Sequence, residues 1–268
     1  MAAGPYRLIL SYRGGGYAGW QRQPNAVTVQ QRVEEALTAL GLDRPRVVAA
    51  GRTDAGVHAR AQAAHLDVSE KPSLRSLIHG TNHHLPDDIR VIAVARMGVG
   101  FDARRSARSK LYVYHMVPTR VLSPLDALDA IAVRRDLDLD AMRRAVAALP
   151  GRHDFTAFAL SGGAHNDPRR RIFRAELARA GDPGDGAAKR LELRLEGEGF
   201  LRGMVRAIAG TLLEVGAGSR DEESFAGLLA GAPRSAAGPT APAAGLTLEW
   251  VDYGPSWRPL EELDTRRG

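Results

Sequence analysis

Hydrophobic and polar residues alternate over several short stretches of the chain, and this period of two predicts β-strands. The predicted strands cover residues 6–12, 46–50, 61–68, 89–95, 110–117, 172–180, 189–197 and 246–253. In the fifth stretch, the alternation places Tyr112 and Tyr114 together on one face. The sixth and seventh stretches are expected to pair as a hairpin across a polar loop at 181–186.

A period of three to four residues replaces the alternation elsewhere and predicts helices. The predicted helices cover residues 28–40, 139–149, 200–215 and 221–230. Thr28 is expected to cap the first helix, with Gln31 three residues on as in a capping box, and Gly41 to end it. Asp138 is the expected cap of the second helix. The segment 232–245 is rich in Pro, Ala and Gly and is predicted to be a loop.

Strands and helices interleave with hairpins, which indicates an α+β fold with largely antiparallel sheets. The 268 residues suffice for one large domain or for two domains. We find no strict repeat, but the order of elements is compatible with two similar α+β halves. The polar, Arg-rich segment 101–110 is the expected boundary, which gives an N-terminal domain over 1–104 and a C-terminal domain over 105–268.

The charge balance favours a polyanionic partner. Lys and Arg total 37 against 31 for Asp and Glu, which gives a net charge of +6. This surplus is typical of proteins that bind nucleic acid, although a basic enzyme of another kind would also show it. The chain has no Cys, so disulfides, thiolate nucleophiles and Cys-ligated zinc are excluded. Neither a secretion signal nor an apolar run of the ~20 residues that span a bilayer is evident, so a cytoplasmic enzyme is expected.

The most promising candidate for chemistry is the loop at 51–59, which reads GRTDAGVHA and directly follows a predicted strand. Arg52 and Asp54 stand between Gly51 and Gly56. A carboxylate near a cation stays ionised at neutral pH and could act as a nucleophile or base. The alternative is a structural Asx turn with an internal Arg–Asp pair, which is common in ordinary turns.

The GRTDAGVHA loop resembles the signature of the tRNA pseudouridine synthase A (TruA) family. Other blocks resemble that family in the same order and span nearly the whole chain. They are YRG at 12–14, YAGWQRQ at 17–23, TVQ at 28–30, NHHLPDD at 82–88, FDAR at 101–104, YVY at 112–114, DFTAF at 154–158, FLR at 200–202, MVR at 204–206 and the segment 241–246. Two residues depart from the family pattern: Arg13 stands where the family usually has Asp, and Gly203 where it usually has His.

The resemblance implies a role for each of five residues in a pseudouridine synthase fold, in which two similar subdomains flank a central active-site cleft. Asp54 would be the essential carboxylate, acting either by covalent attack or on the ribose to form a glycal-like intermediate. Tyr112 would pack on the uracil and pass a proton, and Leu246 would close the other side. Arg52 would occupy the space that the flipped base vacates, and Arg206 would pair with Asp54. Without the resemblance, a core tyrosine and a surface arginine are the ordinary interpretations of Tyr112 and Arg206.

The resemblance also implies the substrate, which is uridine at positions 38, 39 and 40 in the anticodon stem-loop of tRNAs. Such a nucleotide must be flipped out of its stack before it can react. The family works as a homodimer and needs no metal, nucleotide or redox cofactor, because the reaction is an isomerisation.

Clusters of arginine are candidates for contacts with RNA phosphates, whose strength would fall as salt rises. The candidates are Arg22, Arg104, Arg169 and Arg170. Solvated surface charges are the alternative. Two other functions remain open at this point: a non-catalytic RNA-binding protein on the same scaffold, and an aspartyl-phosphate enzyme that uses Asp136 or Asp138. A helix N-terminus explains these two acidic residues better, and no metal site is predicted.

Overall fold

A computed structural model of the chain describes residues 5–69, 71–162, 167–180 and 190–267. The strands in this part of the chain are β1 (Tyr6–Tyr12), β2 (Val47–Ala49), β3 (His58–Leu66), β4 (Ile89–Arg96), β5 (Ser109–Pro118), β6 (Ile131–Val133), β7 (Gly151–Asp154), β8 (Arg169–Ala180), β9 (Arg190–Gly197), β10 (Leu246–Asp252) and β11 (Glu261–Asp264). The α-helices are α1 (Val29–Ala39), α2 (Thr81–His84), α3 (Leu139–Val146), α4 (Met204–Gly216) and α5 (Glu222–Gly227), and a π-helical turn (Ser76–Gly80) precedes α2. The mixed α and β content agrees with the predicted α+β class.

The chain forms two compact units. One consists of Met1–Lys110 together with Leu248–Gly268, and the other of Leu111–Thr247. The last segment joins the first unit because β11 pairs with β4 and because the Tyr253 hydroxyl donates to the Ala103 carbonyl at 2.8 Å. These units differ in extent from the domains 1–104 and 105–268, which stay a prediction.

The first unit is built on antiparallel strands in the order β11-β4-β1-β3, with β2 paired to β3. On β1, Leu8, Leu10 and Tyr12 are buried while the residues between them are partly exposed. This confirms the alternation that predicted the strand. Helix α1 contributes Val29, Val33 and Leu37 to the core of the same unit.

The predicted cap of α1 is present, but the predicted capping box is not closed. Thr28 Oγ1 accepts from the Gln31 backbone N–H at 3.3 Å. The Gln31 side chain instead donates to Glu35 at 2.8 Å, because an acceptor one turn further on competes for it. Gly41, which follows the helix, has a φ of +98°, as expected of a glycine that ends a helix.

The second unit contains the strand order β5-β9-β8-β7, with β6 parallel to β5. Strands β8 and β9 are antiparallel, which confirms the pairing of the predicted hairpin, and β7 is antiparallel to β8. The predicted hairpin loop at 181–186 and the first residue of its second strand, Lys189, lie outside the described residues.

Three predicted helix boundaries in the second unit are wrong. Helix α3 ends at Val146 rather than at residue 149. Helix α4 begins at Met204 rather than at Phe200, because Gly203 adopts a left-handed φ of +68° that a helix cannot include. Helix α5 ends at Gly227 rather than at residue 230. The predicted cap of α3 is confirmed, since the Asp138 carboxylate accepts from the backbone N–H groups of Asp140 and Ala141. Each helix in the described part of the chain is too short or too polar to cross a membrane.

Candidate active site

Asp54 lies in the bend that connects β2 to β3 in the first unit. Its side chain is partly exposed, whereas Thr53 and Val57 on either side of it are buried. The Val57 backbone N–H donates to the Asp54 carbonyl at 3.1 Å, and Gly56 has a φ of +81°. The turn thus anchors its two ends in the core, while Asp54 between them is partly exposed.

The N-terminal segment 13–20 braces this bend through two glycines. Gly19 has a φ of +86°, and a Cβ at this position would lie 2.6 Å from the Thr53 carbonyl oxygen. A Cβ on Gly14 would overlap the Val57 carbonyl. The Trp20 backbone N–H donates to the Thr53 carbonyl at 3.0 Å across this close contact. Only glycine permits such an approach of two backbones, which gives the blocks at 12–14 and 17–23 a structural reason.

A buried hydrogen-bond network fixes both sides of Arg52. The Gln62 amide donates to the Gly51 carbonyl at 2.9 Å, and its nitrogen is 3.5 Å from the Tyr12 hydroxyl. The Tyr12 hydroxyl is in turn 2.9 Å from Thr53 Oγ1. Burial raises the pKa of Tyr12 to about 12, so the phenol is neutral at ordinary pH. Arg52 itself is exposed. Because the network holds Gly51 and Thr53, the residues on either side of Arg52, it sets the position of Arg52 and of Asp54, which follows Thr53.

The block at 82–88 is tied to the same N-terminal segment. The Tyr17 hydroxyl donates to the Asp88 carboxylate at 2.6 Å, and the Arg13 backbone N–H donates to the Asp88 carbonyl at 2.9 Å. Burial, and then the bond to Asp88, raise the pKa of Tyr17. The side chain of Arg13, one of the two departures from the family pattern, is exposed, so this contact uses only its backbone.

Tyr112 lies on β5 in the second unit and is buried. Its ring centroid is 5.0 Å from that of Phe200, and the two rings meet edge to face. Phe200 is half-buried and stands in the turn before α4. The sequence-based site did not include Phe200, although it belongs to the block FLR that carried part of the resemblance.

Arg206 projects from α4 and holds the segment that leads into β10. Its Nε donates to the Ala241 carbonyl at 2.9 Å, and the Ala241 N–H donates to the Arg206 carbonyl at 3.0 Å. The Tyr114 hydroxyl donates to the Pro242 carbonyl at 2.8 Å on the same segment. Arg206 is therefore half-buried and hydrogen-bonded rather than a solvated surface charge. Leu246, which begins β10, is buried at the end of this segment.

The four candidates for phosphate contacts are all on the surface, and two are engaged by other groups. Arg22 pairs with the buried Glu34 at 3.2 Å, although 56% of its side chain remains exposed. The guanidinium of Arg170 donates to the carbonyls of Asp167 and Arg169 at 2.8 and 2.6 Å. Arg169 and Arg104 have exposed side chains.

Arg104 follows a turn that Asp102 organises. The Asp102 carboxylate accepts from the backbone N–H groups of Arg104 and Arg105, both at 2.8 Å. Burial raises the pKa of Asp102, but these bonds outweigh it and lower the pKa overall. The turn leaves the side chains of both arginines exposed to solvent.

The site residues divide between the two compact units. Asp54 and Arg52 belong to the first unit, and Tyr112, Arg206 and Leu246 to the second. Across the residues that the structure describes, no group of three or more His, Asp or Glu side chains is arranged to hold a metal ion. Asp138 is occupied as a helix cap, which removes the reason to assign it a phosphotransfer role.

Comparisons with known proteins agree with the resemblance in the sequence. A family model described as tRNA pseudouridine synthase matches residues 145–254. The chain is 44% identical over 247 residues to tRNA pseudouridine synthase A of Pelobacter propionicus, covering 92% of this chain and 98% of that protein. It is 42% identical to the protein of that name from Myxococcus xanthus, over 92% of this chain and 91% of the relative. The relative of the same name from Maricaulis maris is 40% identical over 94% of this chain and 99% of its own length.

These matches define the class of the protein: it is an isomerase that converts uridine to pseudouridine in tRNA. Within that class, the chain belongs to the tRNA pseudouridine synthase A family. The family resemblance drawn from the sequence is thereby confirmed.

Proposed function

We propose that this protein isomerises the uridines at positions 38, 39 and 40 in the anticodon stem-loop of tRNAs and that Asp54 is its catalytic carboxylate. The observation that carries the assignment is the setting of Asp54. It is a partly exposed carboxylate at the tip of a bend whose flanking residues, Thr53 and Val57, are buried. A catalytic group must be held rigidly and yet reach the substrate, and this loop provides both conditions.

The reaction needs no co-reactant. The bond between C1′ of the ribose and N1 of uracil breaks, the base rotates, and a bond forms between C1′ and C5. The C5 hydrogen leaves as a proton and N1 gains one, so atoms and charge balance. Asp54 acts either by forming a transient covalent bond or by working on the ribose so that a glycal-like intermediate forms.

The other site residues would bind and orient the flipped nucleotide. Tyr112 would pack on the uracil and pass a proton, and Leu246 would close the opposite side. Arg52 would fill the gap left in the RNA stack, and Arg206 would pair with Asp54. In support, Tyr112 is braced by a ring contact and Arg206 by a backbone carbonyl, so neither needs to be ordered when RNA binds.

The remaining parts of the proposal concern assembly. Two similar subdomains would flank a central cleft, and a homodimer would let one tRNA touch both subunits. The net charge of +6 supports a broad basic surface for such a partner. The protein would act in the cytoplasm, which is compatible with a chain that has no Cys.

The decisive experiment measures tritium release from tRNA whose uridines are labelled at C5. Asp54→Asn and Asp54→Ala should abolish release while RNA binding, measured by filter retention, stays within a few-fold of wild type. Asp140→Asn is the matched control. This exposed aspartate in the first turn of α3 has no proposed role in catalysis or RNA binding, so its substitution should leave turnover unchanged. Full turnover by Asp54→Asn would refute the assignment. Tyr112→Phe should slow release with little change in binding if the hydroxyl passes a proton.

A further inference from the structure

Strands β7 and β8 place two arginines directly opposite each other on the surface of the second unit. Arg152 of β7 is in register with Arg171 of β8, and both residues are exposed. Side chains of directly opposed residues in an antiparallel pair lie about 5 Å apart at Cβ, so like charges there repel. Such an arrangement costs stability in the free protein, and an anion that bridges the two charges would offset that cost.

The ion pairs near Arg152 and Arg171, called the opposed couple below, leave these two arginines able to bind an anion. Arg152 is 3.8 Å from the Asp167 carboxylate, and their side chains are 65% and 55% exposed, which makes this a weak contact. Arg174, further along β8, differs because it is paired with Glu176 at 2.8 Å. The charge of Arg174 is thus already matched within its own strand. Among the described residues, the opposed couple forms one ion pair, the loose contact of Arg152 to Asp167, and the Glu198 carboxylate beside it accepts from the Arg171 backbone N–H at 3.0 Å.

An exposed aromatic ring adjoins the couple. Between the pairs Ile172–Gly197 and Arg174–Glu196, β8 has one residue, Phe173, that has no counterpart on β9. This bulge turns the ring outward, and 44% of Phe173 is exposed. The guanidinium carbon of Arg171 lies 5.8 Å from the centre of the ring. Cationic groups beside an exposed aromatic ring are the combination that binds the phosphates and unstacked bases of nucleic acid.

We propose that Arg152, Arg171 and Phe173 form a binding site for single-stranded RNA, in which the two guanidinium groups clamp one phosphate and Phe173 stacks on an adjacent unpaired base. The inference rests on the proposed function for the identity of the polyanion, which is the tRNA substrate. It assigns the phosphate contact to Arg152 and Arg171, whereas the charge of Arg170 is directed at backbone carbonyls.

The test measures the dissociation constant of full-length protein and an unmodified tRNA transcript over a series of NaCl concentrations. Arg152→Gln and Arg171→Gln should each weaken binding about tenfold and reduce the salt slope by up to about 0.7, the value for one whole phosphate on a single strand, since each loses part of one phosphate contact. Arg174→Gln removes the same charge from the same strand and should change neither. Phe173→Ala should weaken binding roughly fivefold or more without changing the salt slope, because stacking is not ionic.

Thermal melting distinguishes a role of Arg152 and Arg171 in RNA binding from a role in stabilising the fold. Arg152→Gln and Arg171→Gln should melt at or above the wild-type temperature, because each removes a repulsive cross-strand contact. The proposal is overturned if binding and salt slope are unchanged in both variants, or if Arg174→Gln loses as much affinity as they do. Failure of wild type to release tritium would instead refute the proposed function, whatever the binding series shows.

Discussion

The hydroxyl of Tyr12 offers the sharpest test of how the Asp54 loop is held. It is buried and lies 2.9 Å from Thr53 Oγ1, one residue before Asp54, the carboxylate that we propose to be catalytic. Tyr12→Phe removes this single oxygen and keeps the ring that packs in the core. We expect it to lower kcat while leaving the fold intact, because the residue positions Asp54 without touching RNA.

The size of both effects follows from the network. Losing the bond and leaving the buried Thr53 hydroxyl without its partner should lower the free energy of unfolding by about 1–2 kcal/mol. For a chain of this length the melting temperature should then fall by roughly 2–8 °C. Misplacement of a reacting group by 1 Å can cost about a hundredfold in rate, and the bond from Trp20 to Thr53 remains, so we expect a loss of about tenfold in kcat.

The assay is tritium release under saturating tRNA, with a thermal melt of each variant. Tyr6→Phe is the matched control, because Tyr6 lies on the same strand and its hydroxyl donates to the Pro72 carbonyl at 3.1 Å, away from the loop. It should lose stability without losing kcat. Thr53→Ser should retain activity, while Thr53→Val should behave as Tyr12→Phe does. Equal kcat for Tyr12→Phe and wild type would refute the positioning role.

Three further outcomes are expected from the same structure. Gly19→Ala should destabilise the protein by several kcal/mol in a denaturant titration, because a Cβ there meets the Thr53 carbonyl at 2.6 Å and φ is +86°; an unchanged midpoint would contradict this. Asp138→Ala should cost about 1 kcal/mol of unfolding free energy through loss of the α3 cap, with turnover unaffected. The neutral phenol of Tyr12 has its pKa raised from 10.0 to about 12, so the stability it contributes is present below pH 10 and is lost as pH rises towards 12. Wild type should therefore lose about 2 kcal/mol more than Tyr12→Phe over that range, and parallel pH curves would show that Tyr12 does not titrate there.

Strong periodicity made most of the fold readable in advance. The alternation over 6–12 matches β1, and the predicted strand at 110–117 matches β5 to within a residue at each end. Short strands escaped because their pattern is too brief to recognise. In β7, only four residues are involved, and their sequence, Gly-Arg-His-Asp, contains no apolar side chain. These four residues form a strand because they pair with β8, and not because their side chains prefer the extended conformation.

The boundary of α4 shows why an apolar period alone can mislead. Residues 200–215 keep helical spacing, yet Gly203 takes a left-handed conformation that ends the helical path before Met204. The turn so formed sets Phe200 against Tyr112. A glycine within an apolar helical pattern was the available signal, since glycine is a poor helix former.

Most of the candidate site was predicted from the sequence segments that resemble the family. Residue chemistry alone could not separate Asp54 from an ordinary turn aspartate, because the support given by Gly19 and Tyr12 depends on contacts between distant segments. Gln62 was missed for the same reason. Its position among alanines on a strand, next to the buried Ala63, was the hint that a polar side chain points into the core.

The route of the chain has a consequence for synthesis. Strand β11 pairs with β4, so the sheet beside the Asp54 loop is completed by a segment that the ribosome makes only after the whole of residues 111–247. A nascent polypeptide that still lacks this last strand would expose the edge of β4. Activity should therefore emerge late in translation, once the tail has docked, and premature termination anywhere before β11 would leave that edge available for aggregation.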